Sequence, residues 1–278
     1  MANRSFNPET EKDDILSTTP DEFLNGLERA DTYLPFRAVV SPVPPESRLV
    51  VHSDPRSAGA DRFRLVQIRL KHLQASKNLK SLLITSPLPG DGKSTVALNL
   101  AAALSEKGKW AVLLLEADVY RPSLSKRLGL NPWPGLTECF DKKGDPMLAI
   151  RRIDPLGFYL LPAGSPTEGG SILQFAFTSQ FLEGLKATFK WILIDSPPTT
   201  PMAEILALKA QSDATLLVAR AGKTPREAIE EAARTLGRDH ILGIILNEVE
   251  GLDHVYSKYY GYVQPERRPK QPWLRAKP

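Results

Sequence analysis

The chain of 278 residues has a single cysteine, Cys139. It can therefore form no intramolecular disulfide, and it lacks the paired thiolates that zinc or an iron–sulfur centre needs. Four histidines, His52, His72, His240 and His254, lie scattered without the spacing of metal ligands. No apolar run approaches the roughly 20 residues that cross a bilayer, and no secretory leader opens the sequence, so a cytoplasmic protein is expected. There is no internal repeat. Nor is there a basic surface interleaved with aromatics, so nucleic acid is not expected as a partner. What remains, 42% apolar and 24% charged residues, suits one soluble α/β domain with extensions.

Charge is modest overall but uneven. Residues 1–31 carry eight acids against three basic residues, whereas residues 257–278 carry six basic residues against Glu266 alone. Such ends read as solvated, partner-facing segments. The first 55 or so residues are polar and dotted with proline, which predicts a largely disordered or extended leader over 1–57. A folded domain is expected over 58–250 and a tyrosine-rich basic tail over 251–278. Between them, apolar positions at helical spacing mark residues 60–75. Strands are then predicted at Leu82–Thr85, Trp110–Ala117, Phe158–Pro162, Trp191–Asp195, Ala214–Ala219 and Ile241–Asn247. Helices are predicted at Ser94–Lys107, Ser179–Phe189, Met202–Lys209 and Pro225–Leu236. The strands are continuous apolar runs, the pattern of a parallel sheet with helices on both faces. The predicted fold is α/β and doubly wound.

The richest stretch is Ser86-Pro87-Leu88-Pro89-Gly90-Asp91-Gly92-Lys93-Ser94-Thr95, set between a predicted strand and a predicted helix. Strand, glycine-bearing turn and a helix opening on Gly-Lys-Ser make a phosphate-binding loop. Pro87 stands where the usual pattern has its first glycine. Glycine lets backbone approach phosphate oxygens, and the helix start aims free N–H groups at the anion. Lys93 would neutralise the β and γ oxygens, and the Ser94 hydroxyl would ligate Mg²⁺. Pro89, Gly90, Asp91, Gly92, Lys93, Ser94 and Thr95 are thus the candidate nucleotide-binding residues.

Ligands of open parallel sheets sit at the carboxyl ends of the strands. Two predicted strands end there in acids, giving Glu116, Asp118 and Asp195. Asp195 would hold Mg²⁺ directly or through water. Asp118 would be a second metal-shell acid or the base that takes a proton from an attacking hydroxyl.

Taken together, residues 86–95, Leu113–Leu124, Leu160–Gly164, Ile192–Pro198, Val218–Thr224 and Gly243–Asn247 resemble the bacterial tyrosine kinases, the autokinases of capsule and exopolysaccharide export. The resemblance spans roughly residues 58–262. It implies a phosphate-loop ATPase fold, ATP and Mg²⁺, and a catalytic set of Lys93, Glu116, Asp118 and Asp195. It also implies an adenine contact from Asn247 and phosphorylation in trans within a homo-oligomer. The phosphoacceptors would be Tyr256, Tyr259, Tyr260 and Tyr262, four tyrosines within seven residues. As partners it implies a separate membrane-bound activator of polysaccharide export, which would recruit the chain to the inner face of the membrane, and a cognate phosphatase.

Three positions depart from the family pattern. Glu116-x-Asp118 replaces Asp-x-Asp, Tyr120 stands at a commonly basic position, and the oligomer-forming Glu-x-x-Arg-x-x-Arg reads Asp61-x-x-Arg64-x-x-Gln67. Two further readings stay open. One is a catalytically weak, nucleotide-gated scaffold of the same export machinery. The other is a partitioning ATPase of the related fold, against which stand Leu88, where those proteins carry a lysine, and the tyrosine tail.

Overall fold

The computed structural model describes Leu34 and residues 36–141, 146–165, 179–200 and 204–250. In chain order its elements are β1 (Arg37–Val40), α1 (Val50–Ser53), α2 (Ala58–Lys77), β2 (Ser81–Thr85), α3 (Lys93–Ser105), β3 (Val112–Glu116), α4 (Leu124–Arg127) and α5 (Leu136–Asp141). They continue with β4 (Arg151–Asp154), β5 (Tyr159–Leu161), α6 (Ser179–Thr188), β6 (Trp191–Asp195), α7 (Glu204–Gln211), β7 (Ala214–Arg220), α8 (Arg226–Leu236) and β8 (Ile241–Asn247). The eight strands form one sheet in the order β1-β4-β5-β3-β6-β2-β7-β8. All neighbouring pairs are parallel except β4 with β5. This is the predicted doubly wound sheet with helices on both faces.

The central strands explain their own placement. In β2, β3 and β6 every residue is buried. Successive side chains enter opposite apolar layers, as the two-residue strand period requires. Leu83, Leu113, Leu115, Ile192 and Ile194 pack on one face with Leu182 and Leu185 of α6, Ile205 and Leu208 of α7, and Leu236 of α8. Leu82, Ile84, Val112, Leu114 and Leu193 pack on the other with Val96, Leu100 and Leu104 of α3, Leu70 of α2, and Leu49. Each fully buried leucine contributes about 2–3 kcal/mol of apolar transfer. The middle of the sheet is therefore the rigid platform from which the functional loops project.

One boundary is corrected. The leader expected over 1–57 does not end where the fold begins. β1 pairs in parallel register with β4, from Arg37 opposite Arg151 to Val40 opposite Asp154. The segment after it, residues 41–57, is bound to the domain at several points. Ser41 Oγ donates to the Leu128 carbonyl at 2.7 Å. Asn99 of α3, fully buried, donates to the Arg48 carbonyl at 2.9 Å and accepts from the Val51 N–H at 3.2 Å. Ser57 then caps α2, its hydroxyl accepting from the Ala60 N–H. The segment is a strap across α3 and the end of α4.

Candidate functional site

The loop between β2 and α3 is held in shape from within and from behind. Gly90 and Gly92 have φ of 89° and 97°, the left-handed region that side chains resist. A Cβ on Gly92 would also fall inside the Asn247 side-chain amide. Asp91 is buried, and its carboxylate accepts from the Leu88 N–H at 3.0 Å and from the Thr224 hydroxyl at 2.7 Å. Asn247 Nδ2 donates to the Asp91 carbonyl at 3.0 Å. Thr85 Oγ1 donates to the Pro197 carbonyl, and the Thr199 N–H donates to that of Ser86, which ties the loop after β6 to the same turn. α3 starts at Gly92 with no side-chain cap, so its first N–H groups stay available for an anion.

A cleft of about 500 Å³ opens over this helix start. Pro89, Gly90, Gly92, Lys93, Ser94 and Thr95 line it together with Asp118. Lys93 Nζ lies 2.9 Å from Asp118 Oδ2, 3.9 Å from Asp195 Oδ1 and 3.4 Å from Ser94 Oγ. Burial alone would lower the lysine's pKa. Asp195, Asp118 and more distant Glu116 outweigh it and hold the ammonium above its ordinary value. Burial likewise drives the Asp195 carboxyl well above the usual carboxylate range, against the pull of Lys93. Neither Asp195 oxygen has a well-aligned hydrogen-bond partner, although both are buried. The Ser94 hydroxyl lies near enough to favour the charged form without completing a bond of standard geometry. An orphaned carboxylate beside a serine hydroxyl and a second acid is a donor set that suits a hard divalent cation.

The expected site residues up to Asn247 each have a place. Lys93, Ser94, Asp118 and Asp195 converge, and Gly90, Gly92, Pro89 and Thr95 surround them. Two others stand differently from the expectation. The Asp91 side chain faces the loop's interior and Thr224 in the turn after β7, so it shapes the turn. Glu116 is 1% exposed and does not line the cleft. Its Oε1 accepts from the N–H groups of Ser123 at 2.5 Å and Leu124 at 2.6 Å, and its Oε2 from that of Ala163 at 3.2 Å. Burial raises its pKa and these three amides pull it back, with a net upward shift. Asn247 lies behind the loop. The four tail tyrosines lie outside the described residues.

The sequence reading missed several residues of the cleft. Arg48 comes from the strap, Arg121 follows Tyr120, and Arg127 ends α4. Arg127 Nη1 donates to Thr95 Oγ1 at 2.9 Å. The Tyr120 hydroxyl donates to Glu204 Oε1 at 2.7 Å, and burial with that carboxylate raises its pKa to about 12. A signal for Arg121 and Arg127 existed in the basic residues after the second strand, but only tertiary structure brings Arg48 to them. In the departing motif of α2, Arg64 pairs with Asp61, while Gln67 is buried and donates to Glu106 Oε1 at 3.0 Å.

A parallel sheet whose central strand feeds a glycine turn and a Lys-Ser-Thr helix start defines a P-loop nucleotide-binding protein. Residues 78–248, more than half of the chain, match the ParA family, described as NUBPL iron-transfer P-loop NTPase, and the chain belongs to that family. Among curated relatives it is 27% identical over 219 residues to the tyrosine-protein kinase YwqD of Bacillus subtilis, covering 78% of this chain and 92% of YwqD. It is 27% identical over 253 residues to the succinoglycan biosynthesis transport protein ExoP of Rhizobium meliloti, covering 84% of this chain but 31% of ExoP. Among solved structures, the kinase domain of the Escherichia coli tyrosine kinase ETK superposes with a TM-score of 0.68 at 21% identity, over 82% of this chain and 87% of that one, and supports the fold. The septum site-determining protein MinD of Pyrococcus horikoshii, complexed with Mg-ADP, superposes with a TM-score of 0.51 at 23% identity, over 60% of this chain and 69% of that one.

Proposed function

We propose that the chain is an ATP-dependent protein-tyrosine autokinase that regulates capsule or exopolysaccharide synthesis and export. The observation that carries this reading is the convergence of Lys93, Ser94, Asp118 and the orphaned Asp195 at an uncapped helix start. The similarity to the tyrosine-protein kinase YwqD along nearly its whole length supports the choice of tyrosine as acceptor, and the similarity to part of ExoP supports the link to polysaccharide transport.

In this reading the N–H groups of the loop and of the first turn of α3 bind the β- and γ-phosphates, and Lys93 neutralises their outer oxygens. Ser94 and Asp195, with Asp118, would hold Mg²⁺, which supplies further neutralisation of the phosphates. Asp118 accepts the phenolic proton. The tyrosine oxygen forms its bond to the γ-phosphorus as the bridging bond to the β-phosphate breaks, and ADP leaves with those electrons. A free phenol has a pKa of about 10, so an adjacent base is needed at neutral pH. The acceptors are Tyr256, Tyr259, Tyr260 and Tyr262, presented in trans by another copy. A separate membrane protein of the export machinery recruits and activates the chain, and a phosphatase reverses the modification. The basic tail turns acidic once its tyrosines carry phosphate, at about −1.5 to −2 each.

The test is incubation with ATP and Mg²⁺, alone and with the co-expressed activator, followed by mass spectrometry of residues 256–262. Phosphotyrosine there, abolished by Lys93→Met, is expected. Unmodified tyrosines under both conditions would refute the kinase reading.

A second reading, a nucleotide-gated scaffold with weak transfer, draws on Glu116. Its carboxylate is committed to three backbone amides, which leaves Asp118 and Asp195 to carry the chemistry. ATP binding without phosphotyrosine would favour it.

A further inference from the structure

We propose that Arg127 and Arg48 form a pair, both from the same chain as Lys93, that grips the polyphosphate of the bound nucleotide. The inference rests on the nucleotide-binding reading of the cleft and adds two residues and one chain segment to it.

Arg127 is fixed where phosphates would lie. It bonds to the hydroxyl of Thr95, the third residue of α3, whose own N–H belongs to the uncapped first turn. The guanidinium therefore stands within one side chain of the amides that receive an anion. It is half-buried and lines the cleft, yet among the described residues no carboxylate lies within ion-pair distance of it. Buried or half-buried guanidinium groups are normally matched by an anion, in planar, often bidentate contacts. Burial and the nearby positive charge of Arg48 both disfavour its charge, and Asp195 only partly offsets them. A polyphosphate would supply what the protein leaves out.

Arg48 is brought to the same cleft with backbone strain. Its φ of 52° is left-handed, unusual for arginine. The conformation is held by the Arg48 N–H donating to the Pro45 carbonyl at 3.1 Å and by Asn99 holding the Arg48 carbonyl. Such strain persists where surrounding structure over-determines it, and it clusters at ligand sites. The Arg48 side chain is 66% exposed and lies 3.6 Å from Glu248, which also pairs with Arg220. One carboxylate thus serves two guanidiniums, and Arg48 keeps donors free to turn toward a ligand. Lys93 and Arg121 add positive charge around the cleft, and Asp118 is the other acid lining it.

The test is calorimetric titration of the full chain with AMP, ADP and ATP in the presence of Mg²⁺. The variants are Arg127→Ala, Arg127→Lys, Arg48→Ala and Lys93→Met, each checked by thermal melting. Arg127→Ala should weaken ATP and ADP by about tenfold or more, the scale of a lost charge-assisted contact, with Arg127→Lys between it and wild type. Arg48→Ala should weaken ATP by about three- to tenfold, with less salt dependence than wild type. Both losses should grow from AMP to ATP, which a merely structural role would not produce. If Arg127→Ala fails to fold, Arg127→Lys and Arg48→Ala decide the matter. ATP affinities within twofold of wild type in folded variants would overturn the proposal, with Lys93→Met still defective and the nucleotide reading intact. If wild type itself binds no ATP, the nucleotide reading fails and takes the arginine pair with it.

Discussion

Shortening Glu116 by one methylene is the sharpest test of how this site is built. A pocket-facing acid would gain from Glu116→Asp, which restores the Asp-x-Asp form of the related kinases. The structure argues the opposite. The Glu116 carboxylate reaches the Ser123 and Leu124 amides at 2.5 and 2.6 Å and the Ala163 amide at 3.2 Å, in a position 1% exposed to solvent. Aspartate on the same backbone cannot span to both groups. Each buried N–H left without a partner costs about 1–3 kcal/mol. Losing two of the three makes Glu116→Asp less stable by about 2–6 kcal/mol, equivalent to about 4–24 °C in melting temperature for a domain of this size. Glu116→Gln should lose only about 1 kcal/mol. Its carbonyl oxygen can still serve Ser123 and Leu124, its NH₂ opposes the Ala163 N–H, and removal of a buried charge partly offsets that clash. Denaturant unfolding of the three proteins, with phosphotyrosine yield measured in parallel, checks the order. A Glu116→Asp protein as stable as wild type and more active would refute this account.

Two further outcomes follow from the same geometry. Asp195→Asn should abolish magnesium-dependent activity while raising the stability of the nucleotide-free protein by about 1 kcal/mol, because a buried charge without aligned hydrogen bonds is removed. Since burial raises the folded-state pKa of Asp195, its contribution is fully present below the unfolded carboxylate range and is lost as pH rises through the folded value. Melting curves from pH 4 upward should therefore decline more steeply for wild type than for Asp195→Asn, and parallel curves would contradict the assignment. Asn99→Ala should free the strap, lowering stability by about 1–3 kcal/mol through two lost part-buried bonds and weakening ATP binding as Arg48→Ala does. Unchanged ATP affinity in folded Asn99→Ala protein would separate the strap from the site.

The central sheet was legible because its strands are buried on both faces. Runs of four or five residues such as Leu82–Thr85 and Trp191–Asp195 have no other use for so many apolar side chains. The edge was not. β1 and β4 read Arg-Ala-Val-Val and Arg-Arg-Ile-Asp, four residues each and partly exposed, with neither length nor periodicity to announce a strand. The strap was hidden by its prolines, which read as disorder although Asn99 and the Leu128 carbonyl fix it. At the site, Lys93, Ser94 and Gly92 were legible because their spacing along one turn is the chemistry. Asp118 and Asp195 were legible as acids at strand ends. The commitment of Glu116 to Ser123, Leu124 and Ala163 was not, since nothing local distinguishes an acid that faces a ligand from one that faces backbone. Arg127 stood among basic residues after β3, but its contact with Thr95, which lies on another helix, could not be read locally.

The Arg48–Glu248 contact ties a residue of the strap to one just past the last strand, across the mouth of the cleft. A binding site closed by such distant stretches of sequence is complete only when nearly the whole domain has been synthesised and docked. Loop-closure entropy makes such long-range pairings slow to form. Ligand that binds only the finished cleft then stabilises every element at once, by mass action. On the proposed nucleotide reading, ATP would act on this protein as an inspector of assembly before serving as a substrate.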